Sequence, residues 1–219
     1  MPVTTVMIVE DHPLFSKGLR QLIESQAIYS VVGEATNSTE ALALVESAHP
    51  ELAILDLNLG DEDGLDLIKT LKAAAQDMVI LVLSMHEERY YAERALRAGA
   101  RGYIMKQEAG NKVIDAIKTV MSGKIWLSDT ERERLFDYMT GNNAIKEGKD
   151  WFASISKLSD RQLQIFSLIG KGFGTVEIAS KLNLSTKTID THKEHIKLKL
   201  HCASSQELRQ LAIEWSSHQ

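Results

Sequence analysis

From residue 4 to about residue 122, short apolar runs alternate with stretches whose apolar residues return every three or four positions. The runs are "TVMIV" (5–9), "SVVGEA" (30–35), "LAILD" (52–56), "VILVLS" (79–84) and "RGYIM" (101–105). Each is short, apolar and close to a turn signal, the pattern of a strand buried on both faces. Between the first two, Leu14, Phe15, Gly18, Leu19, Leu22 and Ile23 recur at helical spacing. Pro13 suits the first turn of that helix, where no N–H is needed. In the next helical stretch, Asn37 and Glu40 stand at capping-box spacing ahead of Ala41, Leu42, Leu44, Val45 and Ala48. Further helices are expected over about 65–73, 87–98 and 109–122. Strand then helix, five times over, predicts an α/β domain: a doubly wound, five-stranded parallel sheet with helices on both faces and right-handed connections.

The pattern changes near residue 128. "SDTERERLFDYM" opens with Ser128 and Glu131 at capping-box spacing and reads as one charged helix. "TGNNAIKEGKD" (140–150) is polar and rich in Gly and Asn, a linker composition. Beyond it the strand signal stops, and four helical segments follow over about 159–170, 175–182, 186–200 and 204–215. The expected organisation is an α/β domain over 1–124, a helix and linker over 125–154, and an all-α domain over 155–219. Within the last, a short helix, a tight connector and a longer polar helix outline a helix-turn-helix. Ile189, Ile196 and Leu200 form the apolar stripe of the longer helix, while Asp190, Thr191, Glu194 and Lys197 lie largely elsewhere. Ser185 can cap it, and its first turn offers Lys187, Thr188 and free N–H groups, a setting that attracts phosphate.

Charge sharpens this division. The 219 residues sum to −5. Residues 151–219 hold nine Lys and Arg against six acids, a net of +3, which leaves 16 against 24, or −8, for the rest. An acidic front and a basic back suggest different partners. Hydrophobic and charged fractions of 44% and 25% are ordinary for a soluble globular protein. No apolar run approaches the roughly 18 residues that span a bilayer, and "MPVTTVMIVE" has no basic region ahead of its apolar stretch. Cys202 stands alone, so no internal disulfide forms. These features point to the cytoplasm and away from a membrane.

In a doubly wound sheet, ligands gather at the carboxyl ends of the strands. Glu10 and Asp11 end the first strand, Asp56 the third and Ser84 the fourth; Lys106 follows the fifth. Three neighbouring carboxylates repel one another, and Mg²⁺, small, hard and oxygen-seeking, relieves that repulsion. An ionised Asp beside such a cation can act as a nucleophile and form an acyl phosphate. A cation and a Lys neutralise the charge on the phosphoryl oxygens.

The motifs "VMIVEDHPLF", "LAILDLNL", "VLSMH" and "GYIMK" resemble the receiver domain of two-component response regulators, over about residues 4–122. The resemblance implies a flavodoxin-like fold with Asp56 as phosphate acceptor. Glu10 and Asp11 would hold Mg²⁺, aided by Asp56 and the backbone carbonyl of Asn58. Ser84 would be the switch hydroxyl, Lys106 the phosphate-pairing cation and Tyr103 the switch aromatic. "LSDRQLQIF", "EIASKLNLSTKTIDTH" and "KLKL" resemble the LuxR-type helix-turn-helix, over about 155–217. The whole chain is thus similar to NarL/FixJ-type regulators, which implies a histidine kinase as phosphodonor and double-stranded DNA bound as a homodimer on paired half-sites. By position, Asp190, Thr191 and Glu194 would face bases. Lys187, Thr188, His192, Lys193 and Lys197 would face phosphates or groove edges, and His192 is equally suited to packing within its own domain.

The chain departs from the family pattern in places. Gly60 stands where the family usually has proline, so the acidic loop "LGDEDG" is expected to be mobile. Met85, larger than the usual Ala or Gly, is expected to screen an acyl phosphate from water. Gln162 replaces a Glu, so a hydrogen bond is expected in place of an ion pair. Asp190 and Glu194 are acidic where relatives place basic groups; acids can accept from cytosine N4 but not contact phosphate favourably. Two other readings stay open: a Mg²⁺-dependent phosphohydrolase using Asp56, and a DNA-binding regulator controlled by a ligand or protein. The first normally needs an acid two residues after the nucleophile, where this chain has Asn58.

Overall fold

The structure is a computed structural model that describes residues 3–60, 62–139, 155 and 157–216. The chain divides into two compact units, Met1–Asn143 and Ala144–Gln219. The expected linker over 140–150 lies outside the described residues.

In the first unit, five strands form one parallel sheet: β1 (Thr4–Val9), β2 (Tyr29–Ala35), β3 (Leu52–Leu55), β6 (Val79–Ser84) and β7 (Gly102–Met105), in the order β2-β1-β3-β6-β7. The two-residue strands β4 (Asn58–Leu59) and β5 (Glu62–Asp63) pair antiparallel just beyond β3. The intervening helices are α1 (Pro13–Glu24), α2 (Ser38–Ala48), α3 (Gly64–Ala74), α4 (Glu88–Ala98) and α5 (Ala109–Met121). The helix expected near 128 is α6 (Asp129–Met139).

The apolar runs become strands because both sheet faces are covered. Val6, Met7, Ile8 and Val9 are fully buried, as are Leu52 to Leu55 and Ile80 to Leu83 to within a percent. At roughly 25 cal/mol per Å² of apolar surface, such central strands dominate the stability of the unit. One consequence is positional. The sheet order reverses at β1, so β1 and β3 end side by side at the point where such sheets bind ligands. The last strand, β7, is not left bare: Tyr103 N–H donates to Trp126 O and Trp126 N–H to Arg101 O, both at 3.0 Å, which covers the edge. Tyr103 itself is buried.

Two helix starts differ in detail from the spacing argument. Asn37 Oδ1 accepts the Glu40 N–H at 2.9 Å, but Glu40 Oε2 reaches to Thr36 N–H at 2.7 Å, one residue further out than a capping box requires. At α6, Ser128 Oγ accepts the Glu131 N–H at 3.2 Å, while the Ser128 N–H donates to Glu88 Oε1 of α4 at 2.8 Å. Glu131 is turned inward, nearly buried, and takes Arg134 Nε at 2.9 Å. Arg134 Nη2 also donates to Arg89 O at 3.3 Å. Burial of the Glu131 charge demands this partner, and the arrangement fastens α6 to α4.

The elements of the second unit among its described residues are helices joined by turns: α7 (Asp160–Gly170), α8 (Thr175–Lys181), α9 (Thr186–Leu200) and α10 (Ser205–Ser216). Ile165, Phe166, Ile178, Ile189, Ile196, Ala212 and Trp215 make its core, with the Phe166 and Trp215 rings 5.4 Å apart. Asn183, with φ of 51°, turns the chain between α8 and α9. Ser185 caps α9 by accepting the Thr188 N–H at 3.0 Å. Gln162 Oε1 accepts from Ser159 N–H at 3.0 Å and Lys199 Nζ at 2.7 Å, while Arg161 donates to Leu182 O at 3.0 Å. The hydrogen bonding expected at Gln162 is thus made, to the Ser159 N–H and to Lys199.

Gly64 shows how tightly the β3–α3 connection is built. A Cβ there would stand 2.4 Å from Leu57 Cα, a backbone atom that cannot give way. Gly64→Ala is therefore expected to destabilise the protein by about 1–3 kcal/mol, read as a lower midpoint in urea unfolding followed by circular dichroism.

Candidate functional site

The carboxyl ends of β1, β3, β6 and β7 bring Glu10, Asp11, Asp56, Ser84 and Lys106 to one end of the sheet. Glu10 and Asp56 are buried, each with 2% of its side chain exposed, and Lys106 has 6%. Lys106 Nζ lies 2.6 Å from Glu10 Oε2 and 2.7 Å from Asp56 Oδ2, bridging the two acids. Its ammonium also sits 4.6 Å from the centre of the Phe15 ring, a cation–π contact. On the other side, His12 Nδ1 is 3.0 Å from Glu10 Oε1 and 2.8 Å from Asp11 Oδ1. Its hydrogen bond goes to Glu10. Asp11 Oδ1 and Asp56 Oδ1 are buried atoms with no hydrogen-bond partner among the described residues.

Such orphaned oxygens are costly, and they identify where a cation belongs. Glu10, Asp11, His12 and Asp56 each place a ligand atom within 4.8 Å of the others. Burial pushes the Asp56 carboxyl up to about 6; Lys106 opposes that rise and Glu10 adds to it. The donor set therefore fits a hard divalent cation such as Mg²⁺.

The loop after Asp56 is held at several points instead of hanging free. Gly60, at φ of 56°, donates its N–H to Asp11 Oδ2 at 3.0 Å. A proline could supply neither that N–H nor that angle. Glu62 accepts from Ser38 N–H at 2.7 Å and Asp63 caps α3 by accepting the Leu65 N–H at 3.0 Å. Two of the loop's acids and its glycine thus each have a structural partner among the described residues.

Ser84 is fully buried and accepts the His86 N–H at 3.1 Å. The Tyr103 phenol donates to His86 O at 2.8 Å. Burial pushes that phenol well above its ordinary range, with the Ser84 hydroxyl acting in the opposite sense. The His86 ring stacks on Tyr91 of α4 at 4.5 Å. Met85 points outward, 60% exposed, and lines a 640 Å³ apolar groove with Leu14, Phe15, Leu22 and Lys106. Sequence reasoning passed over His12, Phe15 and His86. Only His12 carried a signal, its adjacency to the acidic pair.

On α9, Lys187, Asp190, Thr191 and Glu194 are exposed, and Thr188, His192, Lys193 and Lys197 are half-buried. Lys197 Nζ pairs with Glu194 Oε1 at 2.8 Å. Lys193 Nζ donates to Thr175 Oγ1 at 2.5 Å, so its ammonium is engaged within the unit. Burial, then Arg161 and His195, hold the His192 ring below its usual pKa, and its buried Nδ1 has no hydrogen-bond partner among the described residues.

Residues 6–118 match the family described as response regulator receiver domain, and residues 156–212 match bacterial regulatory proteins of the luxR family. The chain is a two-component response regulator of the LuxR-type class. It is 33% identical over 207 residues to the virulence factors putative positive transcription regulator BvgA of Bordetella pertussis, covering 94% of this chain and 95% of that protein. It is 32% identical over 210 residues to the oxygen regulatory protein NreC of Staphylococcus carnosus, covering 95% and 96%. Among solved structures, RcsB from Salmonella enterica serovar Typhimurium, bound to promoter P1flhDC in the presence of phosphomimetic BeF3⁻, matches with a TM-score of 0.61 and 26% identity, covering 95% of this chain and 98% of that one. No helix among the described residues is long and apolar enough to cross a membrane.

The raised Asp56 pKa has a direct consequence for this regulator. From about pH 4, the unfolded value, to about 6, the folded state binds more protons than the unfolded one, so stability falls as pH rises through that window and is then flat. In chelator-treated buffer at pH 7, Asp56→Asn is expected to be more stable than wild type by about 1–3 kcal/mol, the difference vanishing near pH 4. Thermal unfolding at both pH values checks this; a less stable variant at pH 7 would mean that the Lys106 pairing outweighs burial.

Proposed function

We propose that this response regulator is a cytoplasmic, phosphorylation-controlled transcription factor in which a histidine kinase donates phosphate to Asp56. The observation that carries this reading is the division of the Asp56 carboxylate: Oδ2 is held by Lys106, while Oδ1 is buried, unpartnered and beside Asp11 and Glu10. Lys106 holds one oxygen in place, and the other faces the acids where a cation belongs. Attack on phosphorus forms the Asp56 acyl phosphate as the bond to the kinase histidine breaks. Lys106 neutralises a phosphoryl oxygen, and the Ser84 hydroxyl donates to another. Mg²⁺, held by Glu10, Asp11, Asp56 and the Asn58 backbone carbonyl, supplies the remaining positive charge when bound.

Engagement of Ser84 by phosphate competes with its present bond to the His86 N–H, and Tyr103 is tied to the same residue through His86 O. Phosphorylation thereby biases α4 between two arrangements and favours a homodimer competent for double-stranded DNA. On DNA, α9 enters the major groove. Asp190, Thr191 and Glu194 face bases; Lys187, Thr188, His192 and Lys197 lie at phosphates or groove edges, as does Lys193 once its ammonium leaves Thr175. The protein is not a phosphohydrolase, because Asn58 cannot serve as general acid; slow loss of phosphate to water is compatible with its role.

Phosphotransfer from a small phosphodonor with Mg²⁺ tests the first half. Wild type is expected to gain one phosphate by intact mass and Asp56→Ala none; an unlabelled wild type sinks the mechanism, and rapid multiple turnover favours a hydrolase. For the second half, Lys187→Ala is expected to weaken binding to all duplexes alike and to lower the salt slope by about 1. Glu194→Ala is expected to change sequence preference instead. Fluorescence anisotropy on selected duplexes reads both.

A further inference from the structure

A helix usually lies on its neighbours through an apolar stripe. α6 does not. Among its described side chains Glu131 alone is buried, with 5% of the side chain exposed, while Phe136 faces outward. The carboxylate takes its hydrogen bonds from Arg134 of the same helix: Nε donates to Oε1 at 3.1 Å and to Oε2 at 2.9 Å. That pairing travels with α6 and does not depend on α4. Burial pushes the Glu131 carboxyl above its ordinary range; Arg134 opposes that rise, and the Glu88 charge on α4 adds to it.

The start of α6 is a capping box divided between two helices. Ser128 Oγ accepts the Glu131 N–H at 3.2 Å, which is one half of the box. The other half would run from the Ser128 N–H to the Glu131 carboxylate, but that N–H donates to Glu88 Oε1 at 2.8 Å instead. Glu88 thus holds the place that Glu131 would take in a free helix. Further along, Arg134 Nη2 reaches Arg89 O at 3.3 Å. Both acceptors lie in the first turn of α4, directly after the segment from Ser84 to Glu87. A shift of that turn displaces both together.

We propose that α6 is a releasable latch, held on α4 by Glu88 and the Arg89 carbonyl while Asp56 is unphosphorylated and let go on phosphorylation, when the Ser128 N–H passes from Glu88 to Glu131. The proposal rests on the reading of Asp56 as phosphate acceptor and of Ser84 as the hydroxyl that changes partner. A switch needs two arrangements of similar free energy. In the docked one, the Glu131–Arg134 pair is desolvated and Glu88 completes the cap. In the released one, the pair regains water and the cap closes within α6. A buried ion pair recovers little beyond its desolvation cost, so a small change at α4 decides between the two. Apolar residues in place of the pair would hold α6 permanently. Release passes α6 from the receiver unit to the connection with the DNA-binding unit.

The test uses the full chain, with acetyl phosphate and Mg²⁺ to load Asp56 and intact mass to count the phosphate. Amide hydrogen exchange, read by mass spectrometry, compares a peptide covering residues 128–139 with one in α5. An 11-residue helix without its support is marginal in water. Release is therefore expected to speed exchange in α6 roughly tenfold, with α5 unchanged. Glu131→Leu combined with Arg134→Met is expected to take phosphate, yet to change its α6 exchange by less than about twofold, because apolar docking holds in both states. Arg134→Ala, which leaves the buried carboxylate alone, is expected to exchange fast with and without phosphate. Phosphorylated wild type with unchanged α6 exchange overturns the proposal, as does a double variant that responds like wild type. A wild type that takes no phosphate overturns the reading of Asp56 and the latch with it, and the mass separates that failure from failure of the latch alone.

Discussion

One buried ammonium organises the end of the sheet. Lys106 lies between Glu10 and Asp56, and all three side chains are almost wholly removed from water. Taking any of these charges out of water alone would cost several kcal/mol. Pairing recovers much of that, but one cation cannot satisfy two carboxylates and the neighbouring Asp11. The imbalance shows in the raised Asp56 pKa and in two orphaned oxygens. The same imbalance would be relieved by an incoming cation, on which the proposed acceptance of a phosphoryl group depends.

Neighbouring features are arranged around this constraint. Phe15 presents its ring face to the ammonium, so the first turn of α1 contributes electrostatics as well as packing. Gly60 spends a left-handed backbone angle to hold Asp11 Oδ2, which keeps that acid aimed at the pocket. Gly64 permits α3 to start against Leu57, so the loop returns to the sheet within a few residues of Asp56. A loop with two acids in fixed structural roles leaves the acids of the pocket free for chemistry.

Much of this was legible in the sequence, and the reason is periodicity. Strands buried on both faces leave unbroken apolar runs, and the residues ending those runs must sit at one edge of a parallel sheet. Glu10, Asp11, Asp56, Ser84 and Lys106 could therefore be gathered before any coordinates. What escaped were pairings between residues far apart in the chain. Glu88 completes a cap 40 residues away at Ser128. Glu62 serves Ser38 across 24 residues, and Gly60 serves Asp11 across 49. Local spacing carries no information about such partners. The same limit applies on α9, where Lys193 reads as a surface cation but is engaged with Thr175.

The least legible feature is the path out of the pocket. Ser84 and Tyr103 stand on different strands. Yet both bind the backbone of His86, one at its N–H and one at its carbonyl. The His86 ring stacks on Tyr91 of α4, and α4 holds the start of α6 through Glu88 and its middle through the Arg89 carbonyl. A single residue is thus held through both of its flanking peptide groups and attached by its ring to the helix that carries the next element. On the proposed switch, a change of partner by the Ser84 hydroxyl would release the His86 N–H, and the stacked ring would pass the change to α4. The packed core beneath the sheet is too dense to absorb such a shift by gradual deformation. α4 buries Tyr90, Tyr91, Ala92 and Ala95, so on the same proposal it would respond as one packed element and carry its polar ties to Ser128 and Arg134 with it.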